Sequence, residues 1–355
     1  TGAGNTVDTV DGSIGVMYTN ADAGAKIQAP DITLEKFARK SIGILATNGK
    51  LTVTNGQINI NGGESNIGIT TKKIGTSAGG NIDFTGNIVM GGSNLSTAGG
   101  NKDGIGNIGI FATDGKTVNL TGNLITHNAA GKTRDGIGVF AEKGSTVRLK
   151  GNADIQLAVG KTGQNTGLYA KGANSIIEVG NQASNTSGKD ATSRSKISID
   201  GGNKKTGTAI FASEGGLVKA NGSSLTNGLE IDVQKGAVAI AAMGANSKVE
   251  AKYSTITYNG DGYALYSDGA GKIDVSNSKI KLYGKSTGFE KDLTGTFNIT
   301  LAGTKFEVYS NDVTIANLKG VSTLALNNLT GTIAANTSGL QHSAGTDPVT
   351  GEVYN

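Results

Sequence analysis

Along residues 107 to 122, NIGIFATDGKTVNLTG, apolar positions alternate with polar ones. Ile108, Ile110 and Ala112 form one set, Val118 and Leu120 follow beyond a turn, and Leu124 begins a third short run. A period of two places each set on one face of a strand. Asp114-Gly115 and Gly122-Asn123 lie between the runs, and these residue types tolerate the left-handed backbone that bends a chain. Three short strands and three bends describe one turn of a coil.

The segment returns as SIGILATNGKLTVTNG from Ser41, GIGVFAEKGSTVRLKG from Gly136, TGLYAKGANSIIEVG from Thr166, TAIFASEGGLVKANG from Thr208 and GYALYSDGAGKIDVSN from Gly262. Its second aliphatic recurs at Val16, Ile44, Ile69, Ile110, Val139, Leu168, Ile210, Ile240, Leu265 and, weakly, Phe289, with spacings of 28, 25, 41, 29, 29, 42, 30, 25 and 24. The two long spacings hold Gly/Ser/Asn-rich insertions near residues 91–106 and 183–194. Without them the unit is roughly 25 to 30 residues, in the range of solenoids and propellers. A propeller blade needs about 40 to 45 residues in hairpins, and a leucine-rich repeat needs an L-x-x-L-x-L pattern that is absent.

One turn alone cannot bury its apolar face, but stacked turns can, with like strands running in the same direction about 4.8 Å apart. The expectation is an all-β, parallel β-helix (β-solenoid) of about a dozen turns of roughly 25–30 residues. It covers residues 12–335, between an irregular segment at 1–11 and a polar one at 336–355. Pro30 suits a bend or an edge. LEKFAR, Leu34 to Arg39, is the only helix-like run, and otherwise a connecting loop.

Composition narrows the function. Among 355 residues are 57 Gly, no Cys and no Trp, which removes disulfides, thiolate nucleophiles and Cys-ligated metals. A 36% apolar content in ordered alternation argues against disorder. The charge of +4 reflects 32 basic against 28 acidic residues, and the only arginines are Arg39, Arg134, Arg148 and Arg194. Nucleic-acid binding needs clustered Arg and Lys with stacking aromatics; here the Lys are scattered, so no nucleic-acid partner is expected. No stretch is long enough to span a membrane as a helix.

Catalytic chemistry finds little support. Sugar hydrolysis wants two carboxylates about 5 to 9.5 Å apart, and Asp114 and Glu214 do share a place in the repeat. Asn48 and Lys143 occupy the same place, so a turn preference explains the column. His127 and His342 lack a repeated partner, and His127 reads as a surface residue closing a third strand. No repeated calcium-binding G-G-x-G-x-D motif occurs. No catalytic residue, cofactor or metal is therefore assigned.

Two aromatic patterns remain. The residue after each aliphatic marker is Leu45, Phe111, Phe140, Tyr169, Phe211, Ala241 or Tyr266. Strict alternation points this column outward as a contact surface. A bend turning two successive residues inward makes it an internal ladder, and the internal ladder is the expectation here. Tyr253, Tyr258, Tyr263, Tyr266 and Tyr283 are concentrated in three turns and are candidate ligand contacts, since tyrosine gives flat amphipathic contact area. Packing in a wider turn is the alternative.

The copies SIGILATNGKLTVTNG, NIGIFATDGKTVNLTG and GIGVFAEKGSTVRLKG resemble the passenger repeats of type V monomeric autotransporter adhesins, most closely fusobacterial ones, over roughly residues 12 to 330. The resemblance implies a right-handed parallel β-helix, exported through an outer-membrane β-barrel. It implies display on the bacterial cell surface, as a monomer, to bind a host-cell receptor protein, a host glycan or a partner bacterium. The chain itself shows neither signal peptide nor barrel, so a segment of a longer passenger is expected. The resemblance assigns no binding residue. A polysaccharide lyase or hydrolase on the same coil, and a ligand-free spacer, are the alternatives.

Overall fold

The computed structural model describes residues 10–20, 24–92, 104–129, 131–160, 163, 165–180, 195–291, 298–318, 330–333, 345–346 and 353–354. Most of both insertions, and most of the segments at 1–11 and 336–355, lie outside them.

Eleven short strands form one parallel sheet in chain order, from Ile14–Tyr18, Ile42–Ala46 and Ile67–Thr71 to Tyr263–Ser267, Thr287–Lys291 and Thr314–Leu318. Each pairs with the strand one turn earlier and one turn later, which makes the molecule a parallel β-helix. The marker residues are true register partners: Ile69↔Ile110↔Val139↔Leu168↔Ile210↔Ile240↔Leu265↔Phe289. The column continues to Ala316, where the apolar signal is too weak to read from sequence.

Two further ladders complete each turn. One runs through Thr146–Leu149, Ile176–Val179, Leu217–Lys219, Lys248–Glu250 and Lys272–Asp274. The other runs through Ala153–Ala158, Lys196–Asp200, Glu230–Gln234, Thr255–Asn259 and Lys279–Tyr283. In the earlier turns both merge into single long strands, Lys50–Asn61, Asn81–Gly91 and Thr117–Ile125. The first two share a register shift between Val53 and Gly56, where the chain rounds the corner.

Inward positions of all three ladders meet along the axis. Val139, Val147 and Ile155 belong to three successive strands of one turn, and all are 0% exposed. Burying each such side chain contributes about 1.5–3 kcal/mol, and each turn supplies several.

The corners explain the repeated polar residues. Asp114, Lys143 and Glu214 have φ of 62°, 51° and 54°, so one left-handed turn recurs with three different side chains. Another corner is a stack of glycines. A Cβ on Gly122 would collide with the carbonyl oxygen of Gly86, and one on Gly86 with that of Gly56. LEKFAR is not helical: Leu34 ends one strand, Lys36-Phe37 is a turn, and Ala38–Arg39 starts the next. Leu34 and Ala38 are buried at helical spacing, but register with the following turn decides the conformation. Among the described residues there is no α-helix; a 3₁₀ turn spans Gly202–Lys204.

Candidate contact face

The three outer surfaces of the coil differ in chemistry. On the ladder through Thr146–Leu149, ionic side chains stack in register and neutralise one another. Arg148 Nε lies 2.7 Å from Glu178, and Lys219 Nζ, in register on the other side, 3.9 Å from the same carboxylate. On the ladder through Ala153–Ala158, Lys196 pairs with Glu230 at 3.5 Å and Lys279 with Glu307 at 3.3 Å. Such partly exposed pairs add about 0–1 kcal/mol each, and they also discourage lateral association of sheets.

The eleven-stranded sheet has a different exterior. One outward column runs Ile42, Ile67, Ile108, Ile137, Thr166, Thr208, Val238, Tyr263. Beside it runs the aromatic column. Phe111 and Phe140 stack with ring centroids 5.1 Å apart, Phe140 and Tyr169 at 4.9 Å, and Tyr169 and Phe211 at 4.8 Å, with interplanar angles of 9° to 12°. The rise of the coil sets this spacing, since neighbouring parallel strands are about 4.8 Å apart.

This corrects the expectation of an internal ladder. Phe111, Phe140, Tyr169 and Phe211 are partly exposed while the marker residues before them are 0% exposed. A pair of successive inward residues does exist, but one position earlier. A Cβ on Gly109 would lie 2.8 Å from the core methyl Leu124 Cδ1, and Ile110 beside it is also buried. The irregularity falls before the marker, so the residue after it turns outward. Gly, or Ala in the later turns at Ala209, Ala239 and Ala264, fills the crowded position.

The five candidate tyrosines do not form one patch. Tyr258 is 0% exposed; its hydroxyl donates toward Gly236 O at 2.7 Å and accepts from Gly262 N–H at 2.9 Å. It closes a corner and presents nothing outward. Tyr253 holds a turn at φ 59°. Tyr263 and Tyr266 lie on the aromatic face with centroids 5.5 Å apart. Tyr283 belongs to another face and stacks on Tyr309 at 4.6 Å, a partner one turn later that sequence reading missed.

Two clefts open on the aromatic face. One of about 670 Å³ includes Ile108, Ile137, Thr166, Tyr169 and Phe211 in its wall. Asn165, 1% exposed, also lines it with an amide that has no hydrogen-bond partner among the described residues. The other, about 350 Å³, lies between Phe211 and Tyr266 and includes Glu290, which follows the marker Phe289 in the aromatic column, and Met243, which lies outside that column.

Asp114 and Glu214 sit at turns rather than around a common cleft. Asp114 accepts the backbone N–H of Lys73 at 2.8 Å, and Glu214 pairs with Lys171 at 3.4 Å. His127 lies on the surface in a short antiparallel pairing with Gly131–Arg134 and contacts Asp154 at 2.8 Å. Among the described residues no group of three or more His, Cys, Asp or Glu is placed to hold a metal ion. The sequence matches no family model and no curated protein.

Proposed function

We propose that the chain is a rigid segment of a bacterial autotransporter adhesin passenger, displayed at the cell surface and attaching through the exterior of its eleven-stranded sheet. The observation that carries the reading is the contrast between surfaces. Two ladders end in self-neutralising ion pairs, while the third presents Ile108, Ile137, Phe111 and Phe140 to solvent. A contiguous exposed apolar surface of this kind marks a contact site. The partner is a host-cell receptor protein, a host glycan or another bacterium. The repeats support export and display through their resemblance to such passengers, and the coil itself supplies a stiff spacer.

A cell-attachment and glycan-array comparison tests this. Phe140→Ser with Tyr169→Ser should abolish attachment, whereas Arg148→Ala on a charged ladder should leave it intact. Equal attachment by all three proteins would remove the aromatic face from the proposal. Turnover in a polysaccharide-cleavage screen would replace adhesion with catalysis.

A further inference from the structure

Tyr283 and Tyr309 stand one above the other where strands of the ladder through Ala153–Ala158 end. Lys279–Tyr283 and Lys305–Val308 are paired up to Leu282↔Val308, and Tyr309 N–H donates to Leu282 O at 2.9 Å, so the tyrosines hold equivalent places in successive turns. Their rings stack with centroids 4.6 Å apart and planes 5° from parallel. Tyr309 is 37% exposed and Tyr283 partly so, which opens both to a soluble reagent. The Tyr309 hydroxyl donates to Glu307 Oε2 at 2.9 Å, while Lys279 and Lys305, 3.3 and 3.2 Å from the other oxygen, favour the ionised carboxylate. Two phenols thus lie face to face beside a base. Other rings lack this combination: Tyr169 stacks between Phe140 and Phe211, which have no phenol, Tyr258 is buried, and Tyr263 and Tyr266 are tilted by 34° at 5.5 Å.

We infer that Tyr283 and Tyr309 form an oxidative cross-linking site, joined as dityrosine by a one-electron oxidant such as a haem peroxidase with hydrogen peroxide. Each phenol gives up one electron and one proton, the Tyr309 proton passing to Glu307 and the Tyr283 proton to water. The phenoxyl radicals carry spin at the Cε carbons beside the oxygen, and one electron from each ring makes a Cε–Cε bond. The hydrogen on each bonded carbon then leaves as a proton while each oxygen regains one, so both rings are phenols again. In total two electrons and two protons reduce one hydrogen peroxide to two waters. Coupling requires the ring edges to swing together about their Cβ ends, and the open side of Tyr309 gives that freedom. The product staples two turns through residues 26 apart, which removes loop freedom from the unfolded chain. None of this chemistry involves the eleven-stranded sheet, so attachment and cross-linking stand or fall separately.

Treating the dilute full chain with a haem peroxidase and hydrogen peroxide at neutral pH should give dityrosine fluorescence, which no Trp obscures, in a product that stays monomeric. Mass spectrometry of its tryptic digest should find peptides 282–285 and 306–319 joined with loss of two hydrogens. The oxidised chain should also unfold at a higher denaturant concentration. Tyr283→Phe and Tyr309→Phe each keep a stacked ring, so both should fold with unchanged circular dichroism, and each should remove the joined peptides. Glu307→Gln keeps a partner for the hydroxyl but no base, and should slow coupling at least about tenfold. No dityrosine in the parental chain, coupling only between separate molecules, or a Tyr263–Tyr266 product that survives Tyr309→Phe in place of the joined peptides would overturn the assignment.

Discussion

The Oδ1 atom of Asn107 accepts the backbone N–H of Asn66 at 2.8 Å, one turn away across the coil. Asn66 repeats the arrangement toward Ser41 at 3.0 Å, and Asn107 also donates to Gly62 O at 3.0 Å. Each of these side chains is 0% exposed. They satisfy backbone groups at a corner, where strand pairing is interrupted. Asn107→Leu leaves the buried Asn66 N–H unpaired and Gly62 O with only a long bond from Asn66 Nδ2, and should cost about 1–3 kcal/mol, read as a lower denaturant midpoint. Asn107→Asp keeps the acceptor but sets a buried carboxylate against Gly62 O, so it should be at least as destabilising at neutral pH.

Gly122 has φ of 138° and faces the carbonyl of Gly86 directly. Gly122→Ala must displace the neighbouring strand, an overpacking penalty of about 1–3 kcal/mol or more. Gly115 has φ of 72° but no atom within 4 Å of an added Cβ. Gly115→Ala should therefore cost only about 1 kcal/mol from backbone strain. Equal losses in the two variants would contradict this account.

Tyr258 should govern alkaline stability. Burial, its largest influence, pushes its phenol well above the ordinary value of 10.0. The unfolded chain ionises first, so the stability from this group is complete below about pH 10 and declines above it. Tyr258→Phe should lower the melting temperature at pH 7 by loss of the bonds to Gly236 and Gly262, and flatten the decline above pH 10.

Acid acts through the charged ladders. Burial alone would raise Asp274, but the Ser276 hydrogen bonds and Lys252 outweigh it and the carboxyl lies below its ordinary 3.8. Glu307 is likewise below 4.5, with burial opposed and exceeded by Tyr309, Lys305 and Lys279. These carboxylates stabilise the fold above their unfolded values and lose that contribution as pH falls through the carboxylate range. Melting temperature should drop below about pH 4, and less so in Lys252→Met with Asp274→Leu, where one such pair is gone.

Much of this architecture was legible from a single column of aliphatics, because period-two strands stacked in register place like residues over like. Val16 to Phe289 could be aligned by eye, whereas Ala316 could not, since a methyl carries little of the signal. The direction of the aromatic column was misread for a physical reason. It depends on whether the doubled inward residue falls before or after the marker, and Gly109 has no side chain to reveal it. The tyrosine cluster misled because proximity in sequence does not mean a shared face: Tyr258 and Tyr263 are five residues apart, yet one is inside the coil and the other on its exterior. Glu290 follows the marker Phe289 and so holds a place in the aromatic column, but a carboxylate there carries no aromatic signal; Met243 lies outside that column, and only the assembled turns bring it to the cleft.

The pairing of each strand with its counterparts one turn away also sets how the rod yields. Ladder hydrogen bonds lie along the coil axis, so end-to-end tension pulls them apart one rung at a time instead of shearing a whole sheet at once. Val139 and Leu168 are register partners 29 residues apart, and opening that rung releases roughly 100 Å of extended chain. A rod built this way lengthens in steps under load, dissipating it turn by turn.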